Sequence, residues 1–170
     1  MRKIISRVVS LILVLTVLVG CNVLQMPTEK PNDFTFILKY GVGSKNVLNT
    51  KDGTFTKDMI SSGTKTTDLK LSDDELGTVY TNLRMIKIMN YPEVFKPDRF
   101  AITQRSVSPY MTYDLTIGYN GKQKTVIWDD ESLSEESEAK NLRDMINRVI
   151  SILESKDEYK KLPEPEGGYM

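Results

Sequence analysis

Tyr113-Asp114-Leu115-Thr116-Ile117-Gly118-Tyr119-Asn120-Gly121-Lys122-Gln123-Lys124-Thr125-Val126-Ile127-Trp128 is the stretch that decides the fold. Asn-Gly is the favoured pair for a two-residue type I′ turn, because both positions need a positive φ. Folding about Asn120-Gly121 sets Tyr119 opposite Lys122, Ile117 opposite Lys124, Leu115 opposite Val126 and Tyr113 opposite Trp128. The large apolar groups then share one face, and Thr116 meets Thr125 on the other. A slip of one residue would bury the threonines and expose the aromatics, so the register is well specified.

Two amphipathic helices flank this hairpin. Upstream, Ser72-Asp73-Asp74-Glu75 fits a capping box, with Leu71 and Leu76 placed as a hydrophobic staple. Leu76, Val79, Tyr80, Leu83 and Ile86 follow at helical spacing, and Asn90-Tyr91-Pro92 is the expected stop. Downstream, Ser132 or Ser134 can cap a helix. Its stripe is Ala139, Leu142, Ile146, Val149 and Leu153, widened by Met145 and Ile150, and it runs to about Ser155. Residues 92–110 hold three prolines and read as a long surface connection.

The N-terminal half reads as strands. Phe34, Phe36 and Leu38 alternate with Thr35, Ile37 and Lys39 and end at Gly41-Val42-Gly43. Val47-Leu48 begins a second strand, Asp52-Gly53 marks a turn, and Thr54–Lys57 returns. Residues 61–67 suit a loop or a ragged edge strand, and Asp68–Leu71 a short strand. The sum is an α+β domain: an antiparallel sheet of four to six strands with two helices packed on one face. It is expected over residues 33–160, with a loose C-terminal tail at 161–170.

The first 20 residues have a different character. Arg2, Lys3 and Arg7 precede an apolar run, Val8–Val19, broken only by Ser10 and Thr16, in the order of a secretory signal. Twelve residues are too few to cross a hydrocarbon core, which takes about 20 in a helix. Leu18-Val19-Gly20-Cys21 closes the run and contains the only cysteine.

This tetrapeptide resembles the lipobox of bacterial lipoproteins. The resemblance implies cleavage between Gly20 and Cys21, acyl chains on Cys21, and a mature protein held at the cell membrane, facing outside the cytoplasm. One acyl chain binds a bilayer only marginally, and the family's diacylglycerol meets the need for a second. Residues 21–32, with two prolines, are the expected lipidated tether.

Composition narrows the chemistry. Removing the three basic residues of segment 1–20 leaves 20 Lys and Arg against 23 Asp and Glu, a formal balance of −3. Nothing suggests nucleic-acid binding, which needs a concentrated basic face, and a mildly acidic domain has little reason to lie flat on an anionic leaflet. The chain has no histidine, which excludes His-based acid–base catalysis, histidine-activated nucleophiles and His-ligated zinc. Carboxylate pairs or a Ser-Lys arrangement stay open, but neither leaves a local signature. No cofactor, metal or catalytic residue is assigned.

Four local features have both a structural and a binding reading. The acidic cluster Asp129-Asp130-Glu131 with Glu135-Glu136 could hold Ca²⁺, but its spacing departs from an EF-hand loop, and carboxylates before a helix complement its dipole. Tyr113 and Trp128 fall on the core face of the hairpin. Tyr91 and Tyr110, beside prolines, are the freer aromatics and the candidate binding residues. Gly41-Val42-Gly43-Ser44-Lys45 lacks the spacing of a phosphate-binding loop.

Leu71-Ser72-Asp73-Asp74-Glu75-Leu76, Tyr113-Asp114-Leu115-Thr116-Ile117 and Leu142-Arg143-Asp144-Met145-Ile146 resemble segments of uncharacterised lipoproteins of Gram-positive bacteria. From about 68 to 153 the pattern is also similar to emfourin, a small inhibitor of thermolysin-like metalloproteases. No inhibitory residue carries over. The expectation is a membrane-anchored, non-catalytic binding module for a protein or cell-envelope ligand. Inhibition of an extracellular metalloprotease is the alternative, and a carboxylate-dependent enzyme the second.

Overall fold

The computed structural model describes residues 25–97 and 106–169. The signal segment, Gly20, Cys21 and the middle of the 92–110 connection therefore lie outside the described residues. One six-stranded antiparallel sheet forms the body, in the order β4-β3-β2-β1-β5-β6. Its strands are β1 (Thr35–Gly41), β2 (Asn46–Asn49), β3 (Thr54–Asp58), β4 (Thr64–Asp68), β5 (Thr112–Tyr119) and β6 (Lys122–Asp129). Helices α1 (Asp73–Met85), α2 (Ser137–Ser155) and the short α3 (Asp157–Lys160) complete the α+β fold.

The hairpin has the expected register: Tyr113 pairs with Trp128, Leu115 with Val126, Ile117 with Lys124 and Tyr119 with Lys122. Asn120 and Gly121 take φ of 49° and 67°, the twist a type I′ turn needs. The Asp33 carboxylate accepts from the Asn120 and Gly121 amides, at 2.9 and 3.2 Å, and so ties the hairpin tip to the entry of β1. The Asn120 amide, joined by that of Gly121 against a desolvation cost, holds the carboxyl below its ordinary range.

One sheet face is apolar at its centre, with Lys57, Lys122 and Lys124 toward its margins. Phe36, Leu38, Leu48, Phe55, Leu115, Ile117, Val126 and Trp128 are buried beneath Val79, Tyr80 and Leu83 of α1 and Leu142, Ile146, Val149 and Leu153 of α2. The two long helices cross-link at both ends. At one, Lys156 after α2 donates to Glu75 at 2.6 Å. At the other, the Tyr91 hydroxyl donates to the Glu138 carbonyl at 2.8 Å.

Helix α1 begins in the expected capping box: the Glu75 amide donates to Ser72 Oγ and the Ser72 amide to the Glu75 carboxylate. Burial alone would raise the Glu75 pKa, but Lys156 and Ser72 outweigh it and the carboxyl ends below its ordinary 4.5. A carboxyl lowered in the folded state adds stability that is complete above its unfolded pKa and is lost as pH falls through the folded value. Glu75→Gln is therefore expected to flatten the loss of stability on acidification below about pH 4.5, followed by urea unfolding at stepped pH. Parallel pH curves for the two proteins would count against the Lys156–Glu75 pair.

Several boundaries differ from expectation, each for a physical reason. The ragged edge strand expected within 61–67 forms as β4 (Thr64–Asp68), with Thr66 Oγ1 and Thr56 Oγ1 sharing a hydrogen bond of 2.8 Å across the pair, and the separate strand expected at 68–71 does not form. At the sheet edge backbone pairing suffices, so β4 carries no apolar alternation. Helix α1 stops at Met85, before the Pro92 signal, since Lys87 turns left-handed (φ 54°) and Ile88–Asn90 forms a 3-10 turn. Neither proposed serine caps α2. Its N-cap is Glu136, and Ser134 Oγ accepts the Glu136 amide at 3.2 Å.

The described part of the expected tether is not free. Met26 is buried, the Tyr80 hydroxyl donates to the Pro27 carbonyl at 2.8 Å, and Lys30 pairs with Asp73 at 2.8 Å. The expected loose tail is docked as well. Glu164 approaches buried Lys57 at 3.7 Å, Glu166 bridges Ile60, and the Tyr169 hydroxyl donates to Asp58. Lys57 also sits over the Tyr159 ring, 4.8 Å from its centroid, so a cation and a carboxylate at the end of β3 both find partners in the C-terminal segment.

The described start of the 92–110 connection is likewise part of the sheet margin. The Ile127 amide donates to Glu93 at 2.7 Å and the Phe95 amide to Ile127 at 2.8 Å, which covers the outer edge of β6. Phe95 turns inward onto Trp128, with centroids 5.4 Å apart.

Candidate functional site

Strands expose alternate residues, so the register that buries Leu38, Leu115 and Val126 turns the intervening side chains to the opposite face. One row across that face reads Thr66, Thr56, Val47, Lys39, Asp114 and Ile127. The next reads Asp68, Thr54, Asn49, Ile37, Thr116 and Thr125. All described helices pack on the other side, as Phe55 against Tyr159 and the shared core show.

The polar groups of this open face satisfy one another. Thr56 meets Thr66, Thr116 meets Thr125 at 3.2 Å, and Lys39 pairs with Asp114 at 3.0 Å. Ser44 and Thr112 share a hydrogen bond of 2.7 Å, and Thr112 Oγ1 also donates to the Gly41 carbonyl. At the β6 margin the face turns apolar, with Val94 52% and Ile127 39% exposed side by side. The chemistry available is that of a recognition surface: hydroxyls, one ion pair and an apolar rim. The hydroxyls bond to each other, and none is held by a base that could activate it.

Of the two candidate tyrosines, Tyr91 is a correction. It is 5% exposed, packs on Phe95 at 5.1 Å between centroids, and spends its hydroxyl on α2. Burial, with a smaller contribution from Glu138, pushes its phenol up to about 12, so it stays a neutral donor. Proline beside it signals a chain reversal, and that reversal turns the ring inward. Tyr110 is half-buried just before β5, next to exposed Met111. The structure does not bring Tyr91 and Tyr110 together.

The acidic cluster divides. Asp130 is 2% exposed and takes Arg143 in a fork, Nε to Oδ2 and Nη2 to Oδ1, both at 2.8 Å. Arg143 also donates to the Ser134 carbonyl and lies over the Trp128 ring, 5.2 Å from its centroid. The hydrogen bonds it donates to Asp130 are the main reason the guanidinium is held above its usual pKa. Asp130 thus anchors the entry to α2. Among the described residues no group of three or more acidic side chains converges as a metal site, and no helix is long and apolar enough to cross a membrane.

The open face follows from the same alternation that located the core, read for the residues it turns outward. The Val94 contribution was hidden, because a proline-rich connection carries no strand pattern. No family model, curated protein or solved structure matches the chain.

Proposed function

We propose that the chain is a lipid-anchored extracytoplasmic protein whose domain is a non-catalytic binding module for a protein or cell-envelope ligand. The observation that carries this reading is Leu18-Val19-Gly20-Cys21 at the end of an apolar run, in a chain with no other cysteine. The open sheet face supports the binding part. Its Thr56–Thr66 and Thr116–Thr125 hydroxyls and its Lys39–Asp114 pair are held in place by one another, and its Val94–Ile127 rim supplies apolar area. The absence of histidine and of a second cysteine from the sequence leaves the commonest acid–base and nucleophilic pairs without members.

Cys21→Ser is expected to abolish labelling by a fatty-acid probe and to release the protein from membranes into the soluble fraction. A serine variant that stayed fully membrane-bound would overturn the anchor. For binding, Thr56→Lys with Thr116→Lys on the open face is expected to reduce crosslinking of the anchored protein to its envelope partner, with urea unfolding unchanged. Equal crosslinking would move the binding surface elsewhere.

A further inference from the structure

The 3-10 turn after α1 joins the helix end and the N-terminal segment in one surface. Arg84-Met85-Ile86-Lys87-Ile88-Met89 alternates cations with apolar side chains. Ile88 is buried, while Met85 is 70% exposed and Arg84 and Lys87 also face solvent. Met26, Ile88 and Met89 with Gln25, Arg84 and Lys87 line a cleft of about 180 Å³. A methionine so exposed, between two exposed cations, is the arrangement of an interfacial segment, in which apolar groups enter the headgroup boundary and basic ones meet phosphate.

Two further observations select the occupant. The first is reach. Gln25 lines the cleft and stands four residues after Cys21. At no more than about 3.6 Å per residue, chain geometry keeps an acylated Cys21 within about 14 Å of it. The second is charge. Asp73, Asp74 and Glu75 occupy the first turn of α1 and Arg84 the last, and residues 76–92 contain no acidic side chain. Neither Arg84 nor Lys87 forms an ion pair among the described residues. Juxtamembrane Lys and Arg each favour an anionic leaflet. The carboxylates of Glu136 and Glu138 lie beyond Tyr91 at the start of α2, so contact is made by the α1 edge, with the domain tilted.

We propose that the end of α1 and the turn after it form a bilayer-docking surface, with Arg84 and Lys87 on lipid phosphates and Met85 in the interface. This rests on the anchored reading above. Docking fixes the orientation of the domain and turns the acidic start of α1 away from the membrane.

The test uses the acylated protein on vesicles of phosphatidylglycerol and phosphatidylcholine. An environment-sensitive fluorophore is placed on Met85→Cys or, as control, Thr66→Cys on β4; with Cys21 acylated, each is the single free thiol. Position 85 is expected to shift its emission to the blue and to be quenched by spin-labelled lipid, and position 66 to do neither. Arg84→Glu with Lys87→Glu is expected to lower the docked-to-undocked ratio at least about tenfold while the protein stays vesicle-bound. Equal signals at 85 and 66, or shielding of 85 without vesicles, would mean that the turn is free or is covered by the chain itself or a second copy, and would overturn the proposal. In a parallel arm, the mature chain with Cys21→Ser is tethered by an N-terminal histidine tag to nickel-chelating lipid. No shift at 85 there overturns docking whatever Cys21 carries. A shift there with no acyl label on native Cys21 upholds docking and sinks the anchor reading alone.

Discussion

Replacing Trp128 by alanine is expected to cost about 3–5 kcal/mol, the range for removing a fully buried large aromatic. Trp128 is buried by Phe95 from the connection, Tyr113 from β5 and Arg143 from α2, so three segments lose a common surface at once. Against a total stability of about 5–15 kcal/mol, that loss brings a domain of this size near its unfolding midpoint at room temperature. Urea unfolding followed by far-ultraviolet circular dichroism measures it. Trp128→Phe should fare much better. The indole Nε1 has no hydrogen-bond partner among the described residues, so phenylalanine removes an unsatisfied donor while leaving a smaller void. A Trp128→Ala cost below about 1 kcal/mol would show that the connection and β6 are not joined through this ring.

Arg143→Met is expected to be nearly as damaging, about 3–5 kcal/mol, because it leaves the Asp130 carboxylate buried without its cation. The reverse change is milder, since Arg143 keeps partial access to water when Asp130 is lost. The diagnostic variant is the double one. Asp130→Leu with Arg143→Met removes both charges together, and replacing a whole buried pair by apolar groups is often close to neutral. Recovery of most of the lost stability in the double variant is the expected outcome of a mutant cycle. Simple additivity of the two single losses would mean that the fork does not couple them.

The parts of this fold legible in the sequence were those set by short-range periodicity. The register about Asn120-Gly121, the capping box at Ser72 and the buried stripe of α2 each depend on residues within a few positions of one another. What stayed hidden depends on partners far along the chain. Lys57 reads as an ordinary exposed cation until Tyr159 and Glu164 arrive from the C-terminus to cover it. Tyr91 reads as loop until the Glu138 carbonyl claims its hydroxyl. Asp130 is one of five acidic residues in a short polar stretch, and only α2's Arg143 distinguishes it. The open face was implicit in the strand alternation. Its apolar rim was not, because Val94 joins it through a bridge to Ile127 that a proline-rich segment does not advertise.

The strand order has a consequence for how the domain is made. β1 to β4 pair each with the next, so that half can zip up through local contacts as soon as it is available. The other edge of β1 must wait for β5, whose partners stand 71–83 residues further along, from Gly41–Thr112 to Thr35–Gly118. Closing so long a segment is the slow, entropically expensive step. Until it happens, a chain produced from its N-terminus exposes the β1 edge with Phe34, Phe36 and Leu38 uncovered. During that interval the β1 edge is open to pairing with a neighbour.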